Sequence, residues 1–192
     1  MMQMLRTAFR SLAFLTLAGI VMAQQTEAPQ VQVPAAEANR RGKESEDKKD
    51  YTDAMRWYRI AADHGDAQGQ VAVGNLYSDG HGVTQNYSEA LRWFRMAAET
   101  GNAEAENNVG LFYLVGLGVA PNYGEALRWL RKSADQGNAV AQRNLGIAYF
   151  QGLGVKPDRA EAIRWLRLAS DQGDQDAKTA LQNIGVLKPT PP

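Results

Sequence analysis

The chain has 192 residues, and its 21 Lys and Arg are balanced by 21 Asp and Glu, so the formal net charge at pH 7 is zero. A neutral chain lacks the strongly basic footprint of a nucleic-acid-binding protein. The absence of cysteine excludes disulfides, thiol catalysis and thiolate metal sites, and two histidines are too few for a metal site built on imidazole alone.

The N-terminal segment has the pattern of a targeting signal. Its only charges, Arg6 and Arg10, precede an apolar stretch over residues 12–22. This order predicts a secretory signal peptide over residues 1–23, and hence an exported protein, periplasmic or secreted and of bacterial type. The stretch is about half the ~20 apolar residues that a membrane span needs, and an uncleaved anchor is the alternative. The polar residues 24–34 that follow predict a flexible linker.

A 36-residue repeat organises the rest of the chain. All four tryptophans keep this interval, and several Gly, Ala and Tyr positions follow the same register. The tryptophans are Trp57, Trp93, Trp129 and Trp165. The repeat predicts a degenerate first unit over residues 35–64, complete units over 65–100, 101–136 and 137–172, a capping helix over 173–187 and a tail over 188–192.

Each complete unit predicts two helices joined by a glycine-rich loop. In the middle unit, Asn102 is the expected cap of the first helix and Gly116 its left-handed end. Asn122 and Glu125 have the spacing of a capping box at the start of the second helix. Gly110 lies inside the first helix, where glycine is unfavourable, so a close approach between helices is expected there.

The two ends of the array differ from its middle. At the N-terminal end, residues 35–43 predict a shortened first helix, and the charged residues 43–50 predict a loop without the glycine pair. At the C-terminal end, residues 174–184 repeat only a first helix. A helix pair cannot bury its own apolar face, so the units are expected to stack into a solenoid with distinct ends.

The conserved offsets within the repeat resemble those of a known family. They are Gly74-x-x-Tyr77, Gly80-x-Gly82-Val83 and Ala90-x-x-Trp93-x-x-x-Ala97-Ala98-x-x-Gly101. This pattern is similar to the Sel1-like repeat, a relative of the tetratricopeptide repeat, over residues 50–184. The resemblance implies an all-α, right-handed α/α superhelix of tandem 36-residue helix pairs and a role in protein–protein contact.

Two ladders on the second helices have structural interpretations. The arginines recur in pairs three residues apart, as in Arg92 and Arg95, with Glu89 three residues before and Glu99 four residues after. Such spacing predicts ion pairs within one helix, although a strip for an acidic partner or phosphate is the alternative. The tryptophans lie at helical spacing beside core alanines, which favours packing between units over an aromatic ligand platform.

The candidate binding site is the free face of the first helices, where relatives of the tetratricopeptide repeat bind their ligands. The predicted contact residues are Asn75, Asn107, Leu111, Leu114, Arg143, Ile147 and Phe150. The polar members would hydrogen-bond a protein or peptide partner and the apolar members would contact its side chains. Alternatively, the apolar members pack on neighbouring first helices or are covered by the tail.

The sequence therefore favours an exported adaptor that binds proteins and is not an enzyme. No catalytic triad spacing, phosphate-binding loop or helix-borne histidine pair is apparent, and no cofactor, metal or nucleic acid is expected. A cell-envelope hydrolase or peptidoglycan-associated enzyme of the same fold is the alternative function. A third possibility is a structural spacer.

Overall fold

A computed structural model of the chain describes residues 33–186, and these residues form helices without strands. The predicted signal peptide, most of the predicted linker and the predicted tail lie outside this range. The nine helices of the described range are α1 (Ala35–Asp47), α2 (Tyr51–Asp63), α3 (Ala67–Asp79), α4 (Tyr87–Glu99), α5 (Ala103–Val115), α6 (Tyr123–Asp135), α7 (Ala139–Gln151), α8 (Arg159–Asp171) and α9 (Gln175–Asn183). None of these helices is long and apolar enough to cross a membrane.

Each helix packs against the next along the chain, which confirms an all-α array of tandem helix pairs. The pairs are α1–α2, α3–α4, α5–α6 and α7–α8, and α9 follows as a first helix alone. Buried alanine, leucine and aromatic side chains form successive core clusters that join each pair to the next. One pair cannot cover its own apolar surface, so neighbouring pairs complete each core.

The side chain of Asn122 caps the second helix of the middle unit, but the full capping box is wrong. Its carbonyl oxygen accepts the backbone N–H of Glu125 at 3.1 Å, as the spacing predicts. The backbone N–H of Asn122 donates instead to the carbonyl of Tyr113, at 2.8 Å. The Glu125 carboxylate is thereby free to pair with Arg128.

The glycine within the first helix does permit a close approach between the two helices of a pair. A Cβ on Gly110 would lie 2.7 Å from Cγ of Leu130 on α6, closer than packed side chains come. In the first unit, Gly42 has the same role, although it does not fall on the 36-residue register. A Cβ on Gly42 would lie 2.5 Å from the Tyr58 ring.

The first unit differs from the others by a shorter loop, whereas the sequence analysis predicted a shorter first helix. Helix α1 continues to Asp47, so residues 43–47 belong to the helix and the loop comprises only residues 48–50. The corresponding loop between α3 and α4 comprises residues 80–86. The loop is therefore four residues shorter, and this places Gly42 four residues out of register.

The arginine and tryptophan ladders form one interlocked surface on the second helices. Arg92 pairs with Glu89 at 2.9 Å, as predicted. Arg95, however, donates to the hydroxyl group of Tyr113 on the following first helix, so the predicted pair with Glu99 is wrong. Links of this kind join one unit to the next.

The tryptophan rings pack between units beside arginine guanidinium groups. Trp93 is buried, and its ring lies between Arg59 and Arg92, whose guanidinium carbons are 4.8 and 4.5 Å from the ring centroid. Because Arg59 belongs to the preceding unit, this cation–π contact holds adjacent pairs together. Trp165 is also buried, whereas Trp57 and Trp129 are half-buried.

Candidate functional site

The first helices α3, α5 and α7 provide a face with almost no positive charge. Across their 39 residues, 13 in each helix, the only Lys or Arg is Arg143 on α7. Asp79 on α3 and Glu104 on α5 are exposed carboxylates of these helices. The rest of the exposed and half-exposed surface is mainly amide and apolar side chains, which suits uncharged ligands better than anionic ones.

The structure places Arg143 in contact with the next unit. Its guanidinium group contacts carboxylate oxygens of Asp174 at 2.8 Å and of Asp176 at 2.9 Å. The Arg143 side chain is 20% exposed and the Asp174 side chain 7%. Such a partly buried ion pair couples α7 to the start of α9. Arg143 therefore contacts the next unit, and a hydrogen bond from it to a partner stays a prediction.

Asn107 also makes its contacts within the chain. It is buried, and its carbonyl oxygen accepts a hydrogen bond from the amide nitrogen of Asn144 at 3.0 Å. Its own amide nitrogen contacts the carbonyl oxygen of Asn108 at 3.4 Å. These three asparagines form a chain of side-chain amides across α5 and α7. Asn108 and Asn144 are half-exposed, so the two ends of the chain reach solvent.

The apolar residues predicted for the site differ in exposure. Leu111, Leu114 and Ile147 are half-buried, and Ile147 packs against the core cluster of the last unit. Phe150 is 45% exposed. It lies with Ile147 along a groove whose other wall includes Ala180 and Ile184. Helix α9 has 9 residues where the other first helices have 13, so it is about one turn shorter than they are.

Asn75 is the remaining predicted site residue. It is half-exposed on α3, at the position that Leu111 and Ile147 occupy in the next two units. The face therefore changes from amide to apolar along the array, as the sequence indicates. The structure thus places all seven predicted residues on first helices, with two of them, Asn107 and Arg143, turned into contacts within the chain.

Asn108 and Asn144 are also half-exposed on the same helices, and the predicted site did not include them. Each directly follows a predicted residue, Asn107 or Arg143, and the two are 36 residues apart. Their matching register was the available signal. Helical periodicity alone does not determine which of two adjacent polar residues points into the interface with the next unit.

The ionisable groups of the described range include no cluster of the kind that holds a metal ion. Within residues 33–186, no group of three or more His, Asp or Glu side chains is placed to hold a metal ion. Glu106 has a buried carboxyl group: the residue is 3% exposed and accepts a hydrogen bond from the Gln136 amide at 2.6 Å. Burial raises the pKa of this carboxyl above its ordinary value. Glu106 faces the junction with α6 and is not open to a substrate.

Comparison with known proteins agrees with this architecture. The model of the Sel1 repeat matches residues 36–66, 67–102, 103–138 and 139–174. A comparison with curated proteins gave no significant match.

Two solved structures with similar sequences have the same fold. One is a protective antigen present in uropathogenic Escherichia coli strains that displays an SLR fold, with 34% identity, a TM-score of 0.74 and coverage of 78% of this chain. This chain spans 33% of that antigen. The other is a Sel1 repeat protein from Oxalobacter formigenes, with 32% identity, a TM-score of 0.74 and coverage of 88% of this chain and 72% of that one. The cysteine-rich protein B of Helicobacter pylori, at 23% identity and a TM-score of 0.55, covers 70% of this chain and 96% of its own and shares the fold.

Proposed function

The chain belongs to the Sel1 repeat family, and on that premise we propose that it is an adaptor that binds another protein through the exposed face of α3, α5 and α7. Proteins of this family generally mediate protein–protein interactions, and the repeat scaffold is generally non-enzymatic. The observation that carries the proposal is the exposed Phe150 on α7, which lines an apolar groove together with Ile147 and Ile184. Contiguous apolar surface of this kind is typical of protein contact sites.

The outer surface of the second helices is less suited to binding a partner. Its charges are largely satisfied by neighbours on the same helix, as in the pairs of Arg128 with Glu125 and of Arg164 with Glu161. Exposed ion pairs of this kind contribute little to stability. Because each charge in such a pair already has a partner on its own helix, fewer charges remain for a ligand. No observation on the described residues favours the hydrolase alternative.

The proposal can be tested by comparing two exposed apolar residues on opposite kinds of helix. Phe150 on α7 is 45% exposed and Leu168 on the second helix α8 is 40% exposed. A photo-crosslinking amino acid at either position samples its own surface in the producing cell. We expect a defined covalent adduct from position 150 and none from position 168. Adducts of equal yield from both positions would contradict binding through the first helices.

We also propose that the adaptor is exported, as the pattern of residues 1–23 indicates. The test is N-terminal sequencing of the protein recovered from each cell fraction. Export with cleavage predicts a mature chain that begins near Gln24 in the periplasmic or extracellular fraction. A chain that retains its first residues in the cytoplasmic fraction would contradict the proposal.

A further inference from the structure

A pocket of about 430 Å³ lies between the second helix α4 and the glycine-rich loop that follows α5. Its walls include Arg95 and Glu99 of the helix and Val119 of the loop. Pockets that bind small molecules in proteins have volumes of about 300–1,000 Å³, so this one has room for a small ligand. The pocket is formed by two successive units and shares no residue with the first-helix surface proposed for protein binding.

The loop wall of the pocket is held against the start of α4. The hydroxyl group of Ser88 donates to the carbonyl oxygen of Gly118 at 3.1 Å. A Cβ on Gly118 would lie 2.5 Å from the backbone nitrogen of Ser88, and the φ of this glycine is 65°. Only glycine combines this backbone conformation with so close an approach. The loop is therefore fixed in place, and the pocket exists without a ligand.

Two opposite charges of the pocket are not paired with each other. Arg92 is balanced by Glu89 at 2.9 Å. Arg95 instead donates to the hydroxyl group of Tyr113, which occupies only part of a guanidinium group with five N–H donors. Within residues 33–186, Arg95 has no ion-pair partner, and the carboxylate of Glu99 has neither an ion pair nor a hydrogen bond. One cation and one anion thus remain available to a ligand.

From this geometry we propose that the pocket binds an apolar α-amino acid in its zwitterionic form. The ligand carboxylate accepts hydrogen bonds from Arg95, and its ammonium group donates to Glu99. The ligand side chain lies against the apolar part of the lining, which is made by Leu91, Met96 and Val119.

The spacing of the two charges suits such a ligand. Arg95 and Glu99 are four residues apart on α4, so they are neighbours on one face of the helix. An α-amino acid carries its two opposite charges on one carbon atom, and both can be reached by side chains one helical turn apart. Glu125 of α6 also attracts Arg95, but it is paired with Arg128 at 2.8 Å. The Arg95 guanidinium group therefore remains open to the ligand carboxylate.

The equivalent positions of the neighbouring units carry different charges. On α2, Arg59 and Asp63 are paired with each other at 3.3 Å, which leaves neither charge for a ligand. On α6, Lys132 takes the place of Met96 and adds a cation where α4 has an apolar side chain. The combination of two open charges and an apolar wall is therefore confined to α4 among α2, α4 and α6.

The test is a titration of the isotope-labelled full chain with L-leucine, followed by heteronuclear NMR. We expect shifts of the backbone amides of Glu99, Gly118 and Val119. N-acetyl-L-leucine lacks the ammonium group and L-leucinamide lacks the carboxylate. Each is expected to bind about tenfold to a hundredfold more weakly, the usual range for hydrogen bonds to charged groups. Glycine, a zwitterion without an apolar side chain, should also bind more weakly than leucine.

Protein variants identify the two charged partners. Arg95→Ala is expected to weaken leucine binding about tenfold to a hundredfold. Glu99→Gln should bind L-leucine and N-acetyl-L-leucine with equal affinity, because the ammonium group then has no carboxylate to meet. The control is Arg167→Ala, at the equivalent position of α8, which should leave binding unchanged. The comparison of ligands on the unmodified protein requires no variant and stays decisive if loss of the Arg95 contact with Tyr113 impairs folding.

Three results would overturn this inference. Equal affinities of the unmodified protein for L-leucine and N-acetyl-L-leucine would remove the role of Glu99 and with it the zwitterion. Shifts confined to the first helices would place the ligand elsewhere. An unchanged spectrum at ~10 mM leucine would exclude the site. None of these results alters the outcome of photo-crosslinking at position 150, so the proposed function is tested separately.

Discussion

Glu106 provides a sharp test of how the units are joined. The first helices carry Gln70, Glu106 and Gln142 at equivalent positions. The amide nitrogen of Gln142 donates to the carbonyl of Ala134 at 3.2 Å. A carboxylate at position 106 cannot donate to the equivalent carbonyl, that of Ala98. We therefore expect Glu106→Gln to stabilise the fold at pH 7.

The size of the stability gain from Glu106→Gln follows from the hydrogen bonds lost and gained. The substituted glutamine can still accept from Gln136, which now bonds the carboxylate at 2.6 Å. It adds one neutral hydrogen bond worth ~0.5–1.5 kcal/mol and removes a charge from a site that is 3% exposed. It also loses an attraction to Lys132, which is the smaller effect. A net gain of ~1 kcal/mol corresponds to a rise in Tm of about 2–4 °C for a chain of this size.

The pH dependence distinguishes this explanation from a general gain in packing. Burial raises the pKa of Glu106 in the folded chain above the ordinary value of 4.5. The folded state then binds the proton more tightly, so the penalty of the carboxylate exists above the folded pKa and disappears as the pH falls through it. The gain from Glu106→Gln should therefore be largest at neutral pH and shrink towards pH 4.5.

Thermal melts of both proteins at several pH values measure this gain. The matched control is Gln142→Glu, which puts a carboxylate at the same position of the next unit and should destabilise at neutral pH. A Glu106→Gln gain that is absent, or is equal at pH 4.5 and pH 7, would refute the reasoning.

The other stability predictions can be measured together by chemical denaturation. Thr100→Gln should stabilise by ~1 kcal/mol, because the buried carbonyl oxygen of Gln70 lacks a hydrogen-bond partner in the described structure and glutamine at the equivalent positions of the next two units provides one. An unchanged stability would indicate that a glutamine side chain at position 100 does not reach the carbonyl oxygen of Gln70. Gly110→Ala should destabilise by ~1–3 kcal/mol despite the better helix propensity of alanine, because the new Cβ would lie 2.7 Å from a leucine side chain. A gain in stability would contradict the close approach of α5 and α6. Trp93→Ala should cost ~3–5 kcal/mol and Trp57→Ala less, because the first ring is buried and the second half-buried. Equal losses would count against packing between units.

Features that depend on local spacing were predictable from the sequence. Trp93 and Trp129 mark the period, Gly116 marks a helix end at a positive φ of 85°, and Asn102 caps the helix that begins at the next residue. Each follows from the geometry of a single helix or turn, and the repeated register strengthens the assignment. The confirmed all-α array of helix pairs follows directly from these signals.

The prediction was less successful where a side chain has two possible neighbours. Helical spacing predicted an ion pair of Arg95 with Glu99, but Arg95 instead donates to the hydroxyl group of Tyr113 in the following unit. Arg143 likewise faces a carboxylate of the next unit, that of Asp174, which lies 31 residues away in the chain. Spacing within one helix does not show contacts that form when two units stack.

The sequence by itself determined the period, the helices, their caps and the near absence of positive charge on the first helices α3, α5 and α7, because these depend on residue type and on neighbours three or four positions away. Only the tertiary structure decided which polar residues of these helices remain accessible. Asn107 and Asn144 are both amides on first helices, yet one is buried and the other half-exposed. The rotation of each helix against the next unit determines this difference, and that rotation is set by packing over the whole interface between units.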